Sequence, residues 1–309
     1  MKKILFSTSS FNIDSYEDKK ILLANGFSLV TNPFKRRLTE IEIKNLLKDE
    51  FVGIIAGLEP LNQNVLSSAK SLRVISRCGI GIDNIDLKSA SKNGIEVFNT
   101  PDAPSQSVAE LTLAHILNLL RHVSYSDRSL RINNWDRKKG FLLSGKTVGI
   151  IGLGRIGLKV AKLVSAFGAK VIYRDIKKTN GYMNFKNVSL NILLEESDII
   201  SLHIPYNKTT HHIIDIKSLN KMKRSAILVN LSRGGLIDEE ALFKVLKHKR
   251  IQGAGLDAFF NEPYQGNLLT LENILLTPHI GSLANESRIR MEKEALANLI
   301  TGLKKSKLI

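Results

Sequence analysis

A glycine-rich loop between a strand pattern and a helix pattern restricts the possible folds more than any other part of the sequence. The apolar run at 147–151 leads directly into Gly152-Leu153-Gly154-Arg155-Ile156-Gly157, and residues 158–167 have the apolar spacing of a helix. In such a loop the first glycine permits a tight turn, the second lets the backbone approach a pyrophosphate, and the third allows close helix packing. The N–H groups at the start of the helix can bind the anion. This segment therefore predicts a dinucleotide-binding βαβ unit.

An acidic residue, Asp175, follows the next apolar run at 170–173. A carboxylate at this place accepts hydrogen bonds from the ribose hydroxyls of a dinucleotide and repels a 2′-phosphate. The position therefore favours NAD over NADP as the cofactor. Arg174, Lys177 and Lys178 are its neighbours in the sequence, and they could either attract a phosphate or form an ordinary solvated surface.

Short apolar runs alternate with helical, charge-rich stretches along the chain, which is typical of βαβ units. Candidate strands in the first hundred residues lie at 4–7, 53–56, 72–77 and 95–98, with helices at 14–25, 39–48 and 85–93. Later candidate strands lie at 147–151, 170–173, 199–203, 226–230, 255–259 and 274–277. The later series, joined by helices, predicts a parallel, doubly wound sheet.

The length of 309 residues predicts two domains rather than one. Pro101 and Pro104 interrupt the regular pattern, since two nearby prolines disfavour both helix and sheet. A long apolar helix follows at 105–122, and a last helix, near 286–302, follows the final candidate strand. We predict a substrate domain at 1–98, completed by a C-terminal helix at 285–309, and a dinucleotide-binding domain at 99–284.

Composition argues against several other classes of protein. The chain has one cysteine, Cys78, so it cannot form an intrachain disulfide, and a lone thiol suits a reducing cytoplasm. No apolar run approaches the roughly 20 residues of a membrane helix, and the N-terminal run is too short for a signal peptide. The net charge of +16 is scattered along the chain rather than gathered with aromatic residues. We therefore predict an anionic small-molecule ligand, and neither a membrane nor a nucleic-acid partner.

Three polar residues, Arg233, Glu262 and His279, follow the last three candidate strands, where open α/β sheets bind ligands. Oxidation of a 2-hydroxy acid requires a base for the hydroxyl proton, and the titration range of histidine makes His279 the candidate base. Glu262 would fix the tautomer of the imidazole and stabilise its charged form. Arg233 offers the forked, permanent cation that suits a substrate carboxylate. The alternatives are a surface ion pair for the arginine, an exposed turn for the glutamate and a helix cap for the histidine.

Metal binding is not expected. The adjacent pair His211-His212 is the one arrangement that suggests a metal, and it lacks accompanying cysteine or aspartate ligands at a suitable spacing.

The sequence resembles the D-isomer-specific 2-hydroxyacid dehydrogenases over nearly its full length. The motifs that carry the resemblance follow in the family's order: Arg77-Cys78-Gly79-Ile80-Gly81-Ile82-Asp83-Asn84-Ile85-Asp86, Ser107-Val108-Ala109-Glu110-Leu111-Thr112, the loop at 152–157, Ser201-Leu202-His203-Ile204-Pro205, and the segments around Arg233, Glu262 and His279. The resemblance implies an NAD-dependent oxidoreductase with two Rossmann-like lobes, a flavodoxin-like substrate domain and a doubly wound dinucleotide domain, and an active-site cleft between them.

The resemblance also implies roles for individual residues. The arginine binds the carboxylate and carbonyl of the substrate, the glutamate supports the histidine, and the histidine transfers the proton. Asp257 contacts the nicotinamide amide, and backbone N–H groups around Cys78, Gly79 and Ile80 hold the substrate carboxylate. The implied cofactor-binding residues are Gly152, Gly154, Arg155, Ile156, Gly157, Asp175, His203, Pro205, Leu231, Ser232, Asp257 and Gly281. A homodimer joined through the cofactor domains is implied as well.

Within the family, Trp135-Asp136-Arg137-Lys138-Lys139 followed by Gly145-Lys146-Thr147 is most similar to the 3-phosphoglycerate dehydrogenases of serine biosynthesis, and a basic loop could neutralise a phosphate. The loop Ala56-Gly57-Leu58-Glu59-Pro60 departs from them, since it lacks the arginine often present there. No regulatory domain is expected after Ile309.

We predict 3-phosphoglycerate as the first substrate, with hydroxypyruvate, glyoxylate, D-lactate or a sugar-acid phosphate as alternatives. An alternative from another class is an NAD(H)-sensing, corepressor-like binding protein, because the same fold in this family has been used in that way.

Overall fold

The computed structural model describes residues 1–9, 11–48, 50–176 and 185–309. The chain divides into two compact units, one formed by Met1–Pro104 with Leu283–Ile309 and the other by Ser105–Ser282. Residues 99–104 thus belong to the first unit. Lys177 and Lys178, the basic neighbours of Asp175 in the sequence, lie outside the described residues.

Strands and helices alternate through both units. The strands are β1 (Lys3–Phe6), β2 (Ser28–Thr31), β3 (Phe51–Ala56), β4 (Val74–Arg77), β5 (Glu96–Asn99), β6 (Thr147–Ile151), β7 (Lys170–Arg174), β8 (Lys186–Asn187), β9 (Ile199–Leu202), β10 (Ile227–Asn230), β11 (Gly253–Leu256) and β12 (Ile274–Leu276). The α-helices are α1 (Lys19–Ala24), α2 (Glu40–Leu46), α3 (Gln63–Ser68), α4 (Leu87–Lys92), α5 (Ser105–Arg121), α6 (Val123–Arg131), α7 (Arg155–Ala166), α8 (Leu190–Glu196), α9 (Ile216–Lys221), α10 (Glu239–Lys247) and α11 (Asn285–Lys305).

The first unit contains a parallel sheet in the order β2-β1-β3-β4-β5, which is the flavodoxin-like order. The C-terminal helix α11 packs on this sheet. The hydroxyl of Ser76 in β4 donates a hydrogen bond to the carbonyl oxygen of Ala295 at 2.7 Å. Leu296, Leu299 and other apolar residues of α11 share a buried core with side chains of β1 and β4. One face of the sheet is thus covered by a helix from the far end of the chain.

The second unit contains a parallel sheet in the order β12-β11-β10-β9-β6-β7-β8. The order reverses direction between β6 and β9, which is the topological switch point where such sheets bind dinucleotides. Successive residues of β10 face opposite sides: Leu228 belongs to the core beneath α8, α9 and α10, and Val229 to the core beneath α5 and α7. The prediction of two parallel α/β domains, one of them doubly wound, is confirmed.

Some elements differ from the predictions. The predicted helix at 14–25 is a 3₁₀ turn at Ile13–Ser15 followed by α1. The long helix predicted at 105–122 ends at Arg121, because His122 adopts a left-handed conformation with φ 55°, and a further helix, α6, begins at the next residue. In the part of the chain that the structure describes, no helix has both the length and the apolar character needed to cross a membrane.

Candidate active site

The glycine loop lies at the carboxyl end of β6 and leads into α7. Gly152 has φ 92°, and a Cβ built there would lie 2.7 Å from the carbonyl oxygen of His203, so a side chain is excluded on both counts. A Cβ on Gly157 would clash with the carbonyl oxygen of Gly152, whereas a Cβ on Gly154 would have no atom within 4 Å. The loop is therefore packed tightly against α7 at Gly157, whereas the space next to Gly154, at the start of α7, is open. This open cradle of N–H groups fits the pyrophosphate of a dinucleotide.

Asp175 directly follows β7, beside this loop. One of its carboxylate oxygens accepts a hydrogen bond from the backbone N–H of Leu153 at 2.8 Å. The carboxylate is thereby held next to the turn that follows β6, which is where the ribose of a dinucleotide lies in folds of this type. Arg174 is exposed. Arg155 and Ile156, the other residues predicted at this site, begin α7.

The segment after β9 lies on the other side of the switch point. The ring nitrogen Nε2 of His203 is 2.8 Å from the hydroxyl of Ser201, and Nδ1 is buried. Although His203 as a residue is only partly buried, enclosure of its ring lowers the pKa of His203 to about 3. Pro205 is exposed. Ser232, after β10, donates its hydroxyl to the carbonyl oxygen of Leu202 at 2.8 Å, which ties the two neighbouring strand ends together.

His279 and Glu262 form a hydrogen-bonded pair. The Nδ1 atom of His279 is 2.9 Å from each carboxylate oxygen of Glu262. Glu262 is itself oriented by the backbone N–H of Phe259, which donates to Oε1 at 3.0 Å. The side chains keep 26% and 20% of their exposure, respectively, so the pair is shielded and still accessible to a ligand. With Nδ1–H directed at the carboxylate, Nε2 is the nitrogen left to exchange a proton.

Asp257 follows β11 and braces the loop that carries His279. It is 1% exposed. Oδ1 accepts from the N–H of Ile280 at 2.8 Å and from the hydroxyl of Thr277 at 2.6 Å, and Oδ2 accepts from the N–H of Gly281 at 2.8 Å. Burial raises the pKa of Asp257 and these hydrogen bonds oppose the rise. The family resemblance implies that Asp257 and Gly281 bind the cofactor, and in the structure the two residues are hydrogen-bonded to each other beside His279.

Arg233 follows β10, next to the strand that leads to Asp257. The two strand ends are joined by a hydrogen bond from the N–H of Asp257 to the carbonyl oxygen of Asn230 at 3.1 Å. Arg233 is partly buried, and its Nη1 donates to the carbonyl oxygen of Ser232 at 2.8 Å. Leu231, in the same turn, is buried. Because β10, β11 and β12 are adjacent and parallel, the three predicted catalytic residues emerge from one edge of one sheet.

The loop predicted to hold the substrate carboxylate lies in the first unit, after β4. The N–H of Gly79 donates to the hydroxyl of Thr100 at 2.7 Å, so this donor is already engaged. The N–H of Ile80 has no hydrogen-bond acceptor among the residues that the structure describes. Cys78 is 3% exposed, and burial raises the pKa of its thiol to about 11. Any contact of Cys78 with a ligand would therefore go through its backbone.

Two buried polar residues, Glu59 and His115, were not predicted from the sequence, because their surroundings depend on tertiary contacts. Glu59, after β3, is 1% exposed and accepts hydrogen bonds from the hydroxyl of Ser7 and from the N–H of Gly57. His115, in α5, lies 3.1 Å from the hydroxyl oxygen of Thr277. This contact spans 162 positions of the chain, so the spacing of the sequence gives no sign of it.

Comparison with known proteins agrees with this geometry. Residues 113–281 match the family model described as the NAD-binding domain of the D-isomer-specific 2-hydroxyacid dehydrogenases. A hydroxypyruvate reductase of Thermotoga maritima is 40% identical over 278 residues, which cover 85% of this chain and 91% of the relative. A D-3-phosphoglycerate dehydrogenase of Methanocaldococcus jannaschii is 43% identical over 258 residues, and the match spans 81% of this chain and about half (49%) of that relative.

A solved structure shows the same architecture. The D-lactate dehydrogenase of Aquifex aeolicus, crystallised with NAD and lactic acid, superposes with a TM-score of 0.85 at 30% sequence identity, and the alignment covers 99% of this chain and 96% of that one. The chain belongs to the D-isomer-specific 2-hydroxyacid dehydrogenase family, whose members are oxidoreductases, and it carries the family's NAD-binding domain.

Proposed function

We propose that the protein interconverts a small 2-oxo acid and its D-2-hydroxy acid with NAD(H), and that His279 is the proton donor and acceptor. The observation that carries the proposal is the contact of 2.9 Å between Nδ1 of His279 and the carboxylate of Glu262. A carboxylate at Nδ1 selects the tautomer and stabilises the imidazolium, which leaves Nε2 to give up or take the proton.

NADH, when bound, supplies the hydride that is added to C2 of the 2-oxo acid. His279 Nε2 donates the proton to the carbonyl oxygen, and the product is the hydroxyl group. In the oxidative direction the same nitrogen takes the hydroxyl proton. Arg233 binds the carboxylate and carbonyl oxygens of the substrate through its guanidinium fork. Glu262 remains a carboxylate throughout and keeps the imidazole oriented.

The loop in the first unit would hold the substrate carboxylate through backbone donors. Of the two N–H groups that the family resemblance suggested, that of Ile80 is the better candidate, because the N–H of Gly79 already donates to Thr100. Backbone donors bind a carboxylate without adding charge to the site.

The experiment that tests the proton-transfer role replaces His279 by glutamine and measures NADH oxidation together with NADH binding. Loss of the nitrogen that transfers the proton should lower kcat by roughly 10²–10⁴-fold, the usual contribution of a positioned acid or base, with the Kd for NADH changed little. His248→Gln, a change at an exposed histidine, is the matched control and should retain full turnover. Wild-type turnover in His279→Gln would contradict the assignment.

For the substrate, we propose an unphosphorylated 2-oxo acid such as hydroxypyruvate or glyoxylate. Support comes from Glu59, whose buried carboxylate lies at the carboxyl edge of the first sheet. Its loop is tied to the segment after Ile80, since the side-chain amide of Asn84 donates to the carbonyl oxygen of Glu59 at 2.7 Å. A fixed negative charge beside a carboxylate-binding loop opposes a second anionic group on the substrate.

The second candidate is 3-phosphohydroxypyruvate, which would place the enzyme in serine biosynthesis. The similarity to the archaeal D-3-phosphoglycerate dehydrogenase and the basic segment at 135–139 favour it. Lys138 of that segment, however, packs over the ring of Tyr125 at 3.2 Å and lines a cavity whose walls include neither His279 nor Glu262. Lys138 therefore contacts α6 and not the proposed catalytic pair, His279 and Glu262.

A panel of substrates separates the two candidates. NADH oxidation is measured with hydroxypyruvate, glyoxylate, pyruvate and 3-phosphohydroxypyruvate, and we expect a higher kcat/KM for the unphosphorylated acids. Glu59→Gln, which keeps the acceptor oxygen and removes the charge, should raise the ratio for the phosphorylated acid by roughly threefold to tenfold, equivalent to about 1 kcal/mol of repulsion. A strong preference of the wild-type enzyme for the phosphorylated acid would overturn the first candidate.

A homodimer joined through the cofactor domains is part of the same proposal. In the second unit, α6 and the segment after it present large apolar side chains to solvent: Val123, Leu130, Ile132, Trp135 and Leu142 are 55–77% exposed. We call these five residues the α6 surface. A group of large exposed apolar side chains within one segment of the chain is typical of protein–protein interfaces.

A further inference from the structure

The imidazole of His115 is buried, and the reaction outlined above does not use it. The residue is 1% exposed and lies in the middle of α5. Its Nε2 atom is 3.1 Å from the hydroxyl oxygen of Thr277, two residues before His279. Its other nitrogen faces β11, where a Cβ on Gly255 would lie 2.8 Å from Nδ1. The ring is thus held between a strand and the loop that carries the catalytic histidine.

His115, Thr277 and Asp257 form a series of hydrogen bonds, and the carboxylate of Asp257 at its end determines which group donates in each. Asp257 as a carboxylate can only accept, so the hydroxyl of Thr277 donates its proton to Oδ1 of Asp257 at 2.6 Å. The hydroxyl oxygen is then left to accept from Nε2–H of His115. Nδ1 of His115 must carry the lone pair, and it has no hydrogen-bond partner among the described residues. A proton there would be buried without an acceptor, and burial lowers the pKa of His115 to about 4.

The series ends on the backbone that sets the position of His279. The carboxylate of Asp257 accepts from the N–H groups of Ile280 and Gly281, the two residues that follow the catalytic histidine. His279 has φ 55°, a left-handed conformation that costs a residue with a Cβ roughly 1–2 kcal/mol and persists where the surroundings enforce it. Hydrogen bonds on the preceding threonine and on the two following amides supply that enforcement.

We propose that His115 is a positioning residue for proton transfer, acting through Thr277 and Asp257 on the backbone of His279. Neutral His115 donates to the hydroxyl oxygen of Thr277, so the hydroxyl of Thr277 donates its own proton to Asp257. Asp257 in turn fixes the loop that holds the imidazole of His279 against Glu262. The proposal rests on the catalytic role proposed for His279. It assigns His115 no contact with substrate or cofactor.

Two pairs of variants test the hydrogen-bond series. His115→Leu removes the donor and His115→Gln keeps an N–H of similar reach, while Thr277→Val removes the hydroxyl and Thr277→Ser keeps it. We expect the leucine and valine variants to lower kcat by roughly tenfold with a smaller change in KM, and the glutamine and serine variants to recover most of it. The double variant His115→Leu/Thr277→Val should be no slower than the worse single variant, because both changes break one series.

Nuclear magnetic resonance of the histidine rings in the cofactor-free protein gives a readout that needs no turnover. We expect His115 as the neutral Nε2–H tautomer at pH 7. We also expect the ring signals of His279 to shift in His115→Leu, because a loosened loop weakens the contact between Nδ1 of His279 and Glu262. His115→Gln should restore the wild-type ring signals of His279.

Two results would overturn the proposal. One is an Nδ1–H tautomer of His115 in the wild-type protein. The other is unchanged kcat and unchanged ring signals of His279 in both His115→Leu and Thr277→Val, with lowered Tm alone, which would make the series purely structural. If His115→Leu does not fold, Thr277→Val, which preserves side-chain shape, supplies the same measurements. Absence of turnover in the wild type with every acid in the panel would instead count against the proposed function, since the ring spectra still test the tautomer and the coupling.

Discussion

His279 combines a chemically reactive side chain with a backbone conformation that few residues with a Cβ adopt. Its φ of 55° is accompanied by hydrogen bonds on both sides of the residue, from Thr277 to Asp257 and from Ile280 and Gly281 to the same carboxylate. Strained backbone of this kind is found where a side chain must point in a fixed direction. The buried carboxylate of Asp257 thus accepts hydrogen bonds from residues on both sides of His279 and holds the backbone of His279 in this conformation.

The three candidate catalytic residues could be proposed from the sequence because each follows a strand pattern, and the ends of adjacent parallel strands meet at one edge of the sheet. His115 could not be identified in this way. It lies within a continuous apolar helix pattern, where a buried histidine has the same spacing as any core residue. Its partner Thr277 is 162 positions away, and only the packing of α5 on the sheet brings the two together.

The buried, neutral ring of His203 leads to a prediction about how the stability of the protein depends on pH. Burial places the pKa of His203 at about 3, below the value of about 6.5 expected in the unfolded chain. The unfolded state therefore binds the proton first as the pH falls. The contribution to stability is complete above about pH 6.5 and is lost progressively as the pH falls towards 3.

Urea unfolding of the cofactor-free protein at pH 7 and pH 5 tests this. Between these pH values the His203 contribution should decrease by roughly 2 kcal/mol. His203→Gln should show a correspondingly smaller difference between the two pH values, while His248→Gln, at an exposed position, should behave as the wild type. An identical pH dependence in His203→Gln and the wild type would refute the assignment of a neutral buried ring.

At the scale of the elements, the sequence predicted most strands and the long helices, and it missed β2, α3 and α6. β2 was not predicted because it is an edge strand with no fully buried residue, followed at once by Asn32 and Pro33. α6 was not predicted because Val123 and Leu130, two of its apolar residues, are more than half exposed. Its start is fixed instead by a local contact, in which the side-chain oxygen of Asn118 accepts from the N–H of Ser124 at 2.9 Å. The apolar periodicity of a sequence reflects which side chains are buried, and few side chains of β2 and α6 are buried.

The loop between β6 and α7 offers a matched pair of substitutions. Gly157→Ala places a methyl group against the carbonyl oxygen of Gly152, so the helix must move, and we expect a loss of roughly 1–3 kcal/mol of stability. Gly154→Ala points into open space and should leave Tm almost unchanged. The same methyl group would obstruct the approach of a pyrophosphate, so the Kd for NADH should rise by roughly tenfold or more.

Thermal unfolding and NADH fluorescence titration distinguish the two variants. A Gly154→Ala protein that binds NADH as tightly as the wild type would show that the cradle above α7 is not the pyrophosphate site. A Gly157→Ala protein with wild-type Tm would show that the loop can relax without cost.

At the scale of the whole molecule, the α6 surface leads to a prediction about assembly. Trp135 is the one tryptophan of the sequence and is 77% exposed in a single chain. In a homodimer joined through this surface it would be covered. Trp135→Ser should then shift the protein towards the monomer at micromolar concentration, because an aromatic anchor often carries 2 kcal/mol or more of binding energy.

Light scattering coupled to size-exclusion chromatography measures the change. Ile41→Ser is the matched control, since Ile41 is 73% exposed on α2 in the other unit. Dilution of the wild-type protein should also move the tryptophan emission to longer wavelength as the surface becomes hydrated. A wild-type protein that is monomeric at all accessible concentrations would contradict the proposal.

The discontinuous first unit has a consequence for how the molecule is made. Its sheet is built by residues up to Asn99, yet the helix that covers one face, α11, begins at Asn285. During synthesis on the ribosome the second unit, Ser105–Ser282, is complete before α11 emerges. The nascent chain therefore carries an apolar sheet face that α11 does not yet cover for the time needed to translate more than half of the protein. In this interval, the first unit is the part of the polypeptide on which a chaperone would act.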